Sequence, residues 1–298
     1  MGPGHDHRVR AGPRRALGIA LAITATFTVV EVVGGVLTGS LAVLADAVHM
    51  LSDNVSIALA LVALWLASKP ATPERTYGYK RAEVLAALAN GVALVALAIW
   101  IFVEAIGRLE NPEDVLGGWM LVIALVGMGV NLSAGAILYR AREDSLNVDA
   151  AFRHVLADLL GSLGIGVAAV IILTTGWLQA DALVGILIGV LILGSSWAIL
   201  RDATAILLEG APKGIETRVL GQRLASAPGV VEVHDLHVWT ITSGFPALSA
   251  HVLVGRGEDC HLRRRELERL LGDEFGIAHT TLQVDHVGEA GLVEMGRF

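Results

Sequence analysis

Six long apolar stretches fill the first two-thirds of the chain, at 16–38, 41–67, 82–106, 116–138, 152–174 and 180–200, each bounded by a short polar or basic connection. Each can cross roughly 30 Å of hydrocarbon as a helix, so the pattern predicts six membrane spans. The first follows Arg14 and Arg15, as a signal peptide would, but it stays apolar for roughly 22 residues and carries Glu31. It reads as an uncleaved first helix. After Pro212 the pattern becomes that of a soluble domain. A helical period covers Ile215–Ser226 and ends at Pro228-Gly229. Strand-like runs at Val230–Ile241 and Leu248–Val254 flank a turn at Thr242–Pro246. A charged amphipathic segment from Asp259 to Phe275 and a last strand from Thr280 to Val287 complete the order αββαβ, which predicts a small sheet with helices on one face. The chain thus divides into a tail (1–15), a six-helix membrane domain (16–211) and a C-terminal domain (212–298).

Composition agrees with this division. With 54% hydrophobic and 17% charged residues over 298 positions, the chain is too apolar for a soluble protein and belongs in lipid. A net charge of -7 argues against nucleic acid, which needs a concentrated basic surface. The single Cys260 cannot form an intrachain disulfide and suits a reducing compartment. Basic residues choose the orientation. Arg8, Arg10, Arg14, Arg15, Lys69, Arg75, Lys80, Arg81, Arg140, Arg142, Arg153 and Arg201 fall on one side of the six spans, and Arg108 on the other. The positive-inside rule makes the crowded side, with both termini, cytoplasmic. The opposite loops hold Glu110, Glu113, Asp114 and Asp181.

Ionisable groups at membrane depth cost roughly 2.5–3.5 kcal/mol each on insertion scales and usually mark a pathway or a site. Two spans carry the same pair, His49-x-x-x-Asp53 and His154-x-x-x-Asp158. Residues four apart share a helical face, so two such helices supply two imidazoles and two carboxylates. That set suits tetrahedral Zn²⁺. Protons compete for the same atoms, which is a physical basis for antiport. The alternative is that each His-Asp pair is a structural hydrogen bond between helices. Asp46, one turn before His49, is either an acceptor orienting that imidazole or a helix-end residue near the outer interface. Asn54, Asn90 and Asn131 read as interhelical links, whereas Glu31 and Glu104 lie toward the outer side, where water or an exit path reaches them. Gly34-Gly35, Gly127-x-Gly129 and Gly161-x-x-Gly164-x-Gly166 permit close helix approach.

The run Leu44 to Asp53, the loop Arg75-Thr76-Tyr77-Gly78-Tyr79-Lys80-Arg81-Ala82-Glu83 and His154-Val155-Leu156-Ala157-Asp158 resemble the zinc-exporting branch of the cation diffusion facilitators. The resemblance covers nearly the whole chain. It implies a homodimer that exchanges cytoplasmic Zn²⁺ for protons by alternating access. It also implies a cytoplasmic α+β ferredoxin-like (αββαβ) domain that binds zinc and tightens the dimer. The family's transport ligands fall on His49, Asp53, His154 and Asp158. Manganese-transporting relatives tend to carry carboxylates where this chain has His, so two imidazoles favour Zn²⁺, with Co²⁺ and Cd²⁺ as secondary cargoes. The family's cytoplasmic ligands fall on His234, His251 and Asp285, with His237 and His261 as plausible additions. Gln283 stands where relatives often have His. The family's charge lock maps onto Arg81 and Glu209. Some relatives hold metal in the loop after the second span, but Lys69 to Lys80 has neither His nor Asp, so no metal is expected there.

The expectation is therefore a plasma-membrane Zn²⁺/H⁺ antiporter that exports zinc from the cytoplasm. The alternatives are an exporter preferring Fe²⁺, Co²⁺ or Cd²⁺ and a non-transporting zinc sensor. A metallohydrolase is disfavoured by the closed four-ligand set and the lack of His-Glu-x-x-His. His5-Asp6-His7 could collect zinc or add ligands to the C-terminal domain, and Arg263-Arg264-Arg265 reads as a solvated helix face among Glu266 and Glu268.

Overall fold

The structure is a computed structural model that describes residues 11–139 and 146–288. His5, Asp6 and His7, with Arg8, Arg10, Arg140 and Arg142, lie outside the described residues. Six long helices come first: α1 (Ala11–Thr38), α2 (Leu41–Ala67), α3 (Ala82–Glu110), α4 (Gly117–Tyr139), α5 (Leu146–Thr175) and α6 (Gln179–Leu207). The C-terminal part follows as α7 (Thr217–Ala225), β1 (Val230–Thr242), β2 (Phe245–Val254), α8 (Cys260–Phe275) and β3 (His279–His286). Among the described residues five helices are long and apolar enough to cross a membrane: Gly18–Thr38 within α1, α3, α4, Ala151–Thr175 within α5, and α6. Several helices outrun their apolar stretch. α5 begins with polar Asn147 and Asp149, because backbone hydrogen bonding continues a helix past the boundary that hydropathy marks.

The chain forms two compact units, one of residues up to 58 with 89–198, the other of 59–88 with 199 onward. In the first, α4 packs along α5 and α1. Small residues make the approach possible. A Cβ at Gly34 would come 2.4 Å from Ile123 Cδ1, and one at Gly127 would come 2.9 Å from the Phe27 ring. A Cβ at Gly129, by contrast, would meet nothing within 4 Å, so that glycine contributes no close approach.

The N-terminus of α2 is capped from another helix. Gly39, at φ +69°, turns the chain between α1 and α2. The first amides of α2 have no intrahelical acceptor. Asp181, in the first turn of α6 and only 1% exposed, supplies it. Its carboxylate accepts from Ser40 Oγ and Leu41 N, both at 2.6 Å, and from Ala42 N at 3.2 Å. Arg108 of α3 joins this cluster, donating to the Gly39 carbonyl and lying 3.8 Å from Asp181 Oδ2.

In the second unit the sheet order is β1-β2-β3, with β1 and β2 antiparallel and β2 and β3 parallel. Leu248, Ala250, Val252 and Val254 alternate along β2 and join Leu220 and Leu224 of α7 and Leu267 and Leu271 of α8 in one apolar core. Both helices therefore cover one face of the sheet. Gly244, at φ +71°, closes the β1–β2 turn. The strand β2 starts earlier than the sequence predicts and includes Pro246, which is tolerated near a strand start.

Asp259 caps α8, its carboxylate accepting from His261 N at 2.9 Å and Leu262 N at 3.1 Å. The amide of Leu262, with that of His261, holds the Asp259 carboxyl below the usual carboxylate range. A lowered folded-state value means the cap stabilises α8 fully above the ordinary carboxylate range and is lost as pH falls through the lowered value. Amide exchange in the first turn of α8 should therefore accelerate over that acid interval in the wild type and show no such step in Asp259→Asn. Identical profiles for the two proteins would rule the cap out.

Candidate metal centre

The helical repeat places His49 and Asp53 one turn apart on α2, and His154 and Asp158 one turn apart on α5. The two pairs meet. His154 Nε2 lies 3.0 Å from Asp53 Oδ2 and 3.8 Å from Asp158 Oδ2. His49 Nε2 lies 3.9 Å from Asp53 Oδ2 and 4.0 Å from Asp158 Oδ1. The imidazoles meet edge to face, with centroids 5.9 Å apart. Four ligands about 2.1 Å from a tetrahedral zinc stand about 3.4 Å from one another, so the observed separations bracket that spacing. Among the described residues, His49, Asp53 and His154 are the only group of three whose ligand atoms all lie within 4.8 Å of one another. Asp158 is buried, whereas the other three are partly exposed. The arrangement is a ligand cup with a dry floor and an open side.

The surroundings of the cup differ from the sequence reading at two positions. The Nδ1 of His49 is buried with no hydrogen-bond partner, so Asp46 does not orient that ring. Asp46 is also no interfacial helix-end residue, being 3% exposed. Its partner is Glu31 of α1, itself 2% exposed and therefore out of reach of bulk water. The asparagines do bridge helices. Asn54 Nδ2 donates to Thr28 Oγ1 at 3.4 Å, Asn131 Nδ2 donates to Ser162 Oγ at 3.3 Å, and Asn90 Oδ1 accepts from Ser52 Oγ at 3.3 Å. Glu104 pairs with Arg108 at 3.0 Å.

In the C-terminal domain His234 and His251 are cross-strand partners, with ring centroids 5.4 Å apart on the sheet face away from α7 and α8. A bulge between His234 and His237 puts both on that face although they are three residues apart. Asp235 sits in the bulge at φ +52°, uncommon for a residue with a side chain. Its carboxylate lies 3.0 Å from His237 Nε2 and 3.7 Å from His251 Nε2. Asp285 is in register with Leu253, two residues beyond the Gln283–His251 pair, and accepts from Gln283 Nε2 at 2.8 Å. Asp235, which the sequence reading passed over, thus holds the acidic position beside His251. Its only advance sign is its place between two histidines three apart in a strand. His261 is exposed at the start of α8, His279 contacts the Phe245 and Tyr77 rings, and His286 lies 3.6 Å from Cys260 Sγ, so none of these joins the pair.

Within the same unit the first turn of α3 and the loop before it meet the sheet. Thr242 Oγ1 donates to Glu83 Oε2 at 2.8 Å, and Lys80 Nζ stands 3.8 Å over the Phe245 ring. Arg81 and Glu209 pair at 3.2 Å, both exposed, and an exposed pair adds little stability.

Comparison with known proteins places these features in a family. Residues 17–208 match the cation efflux transmembrane domain, and residues 212–287 match the cation efflux protein cytoplasmic domain. The chain is 41% identical over 286 residues to the metal cation efflux system protein CzcD of Cupriavidus metallidurans, covering 96% of this chain and 90% of that protein. It is 40% identical over 292 residues to the zinc transporter ZitB of Escherichia coli, covering 96% and 93% respectively. It is 39% identical over 290 residues to the cadmium, cobalt and zinc/H(+)-K(+) antiporter of Bacillus subtilis, covering 95% and 92%. An apolar helical domain with paired ligand helices, followed by a small sheet domain, matched over both parts: the chain belongs to the cation diffusion facilitator family of cation efflux proteins.

Proposed function

We propose that the protein is a divalent cation efflux transporter, not an enzyme, that exchanges cytoplasmic Zn²⁺ for protons. The observation that carries this reading is the convergence of His49, Asp53, His154 and Asp158, with nitrogen-to-oxygen separations of 3.0–4.0 Å. With neutral imidazoles and ionised carboxylates the set carries two negative charges, which a divalent ion cancels, so the loaded site crosses the membrane neutral. Protons restore neutrality on the return. Two nitrogens and two oxygens favour Zn²⁺, and Co²⁺ and Cd²⁺ accept the same donors. The names of the relatives from Escherichia coli and Bacillus subtilis support these cargoes.

In this reading α1 to α6 all span the plasma membrane with both termini cytoplasmic, as the arginine and lysine distribution requires. The site alternates between the two sides by rocking of the helices. The αββαβ unit is a ferredoxin-like cytoplasmic domain that joins two protomers. Its His234 and His251, with Asp285 and Asp235, hold further zinc.

The test is flux from reconstituted vesicles under an imposed pH gradient. Zn²⁺ should move fastest, Co²⁺ and Cd²⁺ more slowly, and Mg²⁺ and Mn²⁺ hardly at all, with proton counterflow in proportion to metal. Zinc binding without flux would instead make the protein a sensor, and faster Fe²⁺ flux would change its cargo.

A further inference from the structure

In the second unit, where α2 ends, α3 starts and α6 ends, the basic residues fall into two sets. Carboxylates hold the first: Arg201 and Lys213 both pair with Asp202, and Arg81 pairs with Glu209. Aromatic rings hold the second. Lys69 Nζ stands 4.0 Å from the Trp65 ring centroid, the Arg75 guanidinium carbon 4.5 Å from that of Tyr79, and Lys80 Nζ 3.8 Å from that of Phe245. Among the described residues none of these three forms an ion pair with a carboxylate. A ring has a quadrupole but no net charge, so it steadies a cation and leaves its charge in place for another anion.

Lys69 and Arg75 lie in a stretch, 68–77, that is exposed throughout. The loop doubles back on itself there. Thr72 and Arg75 exchange backbone hydrogen bonds at 3.1 and 3.0 Å, and Gly78, at φ +65°, closes against the chain, since a Cβ on it would come 3.4 Å from Lys69 O. The two cations therefore stand on one folded turn at the end of α2. One helical turn before Lys69, Trp65 is 61% exposed, and Val62 behind it is exposed as well. A soluble anion would use only the charges. An exposed indole beside them, at the end of an apolar helix, matches a molecule with a phosphate at one end and hydrocarbon at the other.

We propose that the end of α2 and the loop after it form a binding surface for an anionic phospholipid, with Lys69 and Arg75 donating to its phosphate oxygens and Trp65 lying against the upper part of its acyl chains. This rests on the reading that α2 spans the membrane and ends on its cytoplasmic side. Lys80, over Phe245, ties the same loop to the sheet. Because α2 also carries His49 and Asp53, the lipid holds the cytoplasmic end of the helix that supplies two of the four metal ligands.

Native mass spectrometry of the full-length protein in detergent, titrated in turn with phosphatidylglycerol and phosphatidylcholine, tests the surface. Phosphatidylglycerol should be retained at concentrations where phosphatidylcholine is not. Lys69→Gln and Arg75→Gln should each weaken its binding about fivefold, whereas Lys213→Gln, which removes a charge that Asp202 already holds, should leave it unchanged. Equal retention of the two lipids, or an equal loss in Lys213→Gln, overturns the proposal. Full competition by glycerol 3-phosphate, which has the phosphate without the chains, overturns it in favour of a soluble anion. Orientation is read separately, by an impermeant maleimide on Glu74→Cys in a Cys260→Ser background. Labelling from the outer face removes the topology and the cytoplasmic lipid with it, whereas labelling from the inner face with no lipid preference removes the lipid surface alone.

Discussion

Asp158→Ala should abolish zinc-driven proton flux while leaving the dimer folded. Asp158 is the buried member of the cup, within 4.0 Å of His49 Nε2 and 3.8 Å of His154 Nε2. In the proposed site its loss would leave the ion one net positive charge in a poorly solvated place and three ligands instead of four. Outer-shell changes at metal sites already cost 10–100-fold in affinity, so loss of a direct ligand should exceed about 100-fold. Stability runs the other way, because an acid at membrane depth is costly. The variant should melt no lower than the wild type and should elute as the same oligomer. Asp53→Ala should behave alike in flux. Persisting wild-type flux in both variants would remove the site.

The largest loss of stability is expected from Asp181→Ala. The side chain accepts from Ser40 Oγ, Leu41 N and Ala42 N, and it lies 3.8 Å from the Arg108 guanidinium. Truncation strands three donors, while Arg108 keeps Glu104 at 3.0 Å and Glu113 at 2.9 Å. A buried donor left unsatisfied costs about 1–3 kcal/mol, so three together should cost at least about 3 kcal/mol. Denaturant unfolding in detergent should show that loss, with a smaller one for Asp181→Asn, which keeps one acceptor oxygen. A change within about 0.5 kcal/mol of wild type, typical of a neutral surface site, would show that the cap is dispensable. Such damage should spread to the metal cup, since the capped helix carries His49 and Asp53.

Hydropathy made the helices legible. The six apolar stretches coincide with α1 to α6 to within a few residues, except where α5 and α6 continue into polar sequence. The order αββαβ was legible too, because period-two runs and the Gly244 turn are local signals. The His-x-x-x-Asp pairs could be placed on helical faces in advance, since their geometry depends only on the helical repeat. Contacts between distant elements were not legible. Glu31 pairs with Asp46 because of how α1 lies against α2, and Asp181 finds the amides of α2 because α6 starts beside them. Asp235 escaped notice because its position depends on a bulge, which alternation of residue types does not reveal.

The cross-strand setting of His234 against His251 has a genetic consequence. A strand's side chains change faces at every residue, so a one-residue slip moves a whole strand's set to the opposite surface. A single amino acid inserted between Ser243 and Gly244 that shifted β2 by one place against β1 would therefore separate the two imidazoles as effectively as deleting one of them, although neither histidine is altered. Length variants that shift this register would be silent to any survey of residue identities, yet they would place the two imidazoles on opposite surfaces of the sheet.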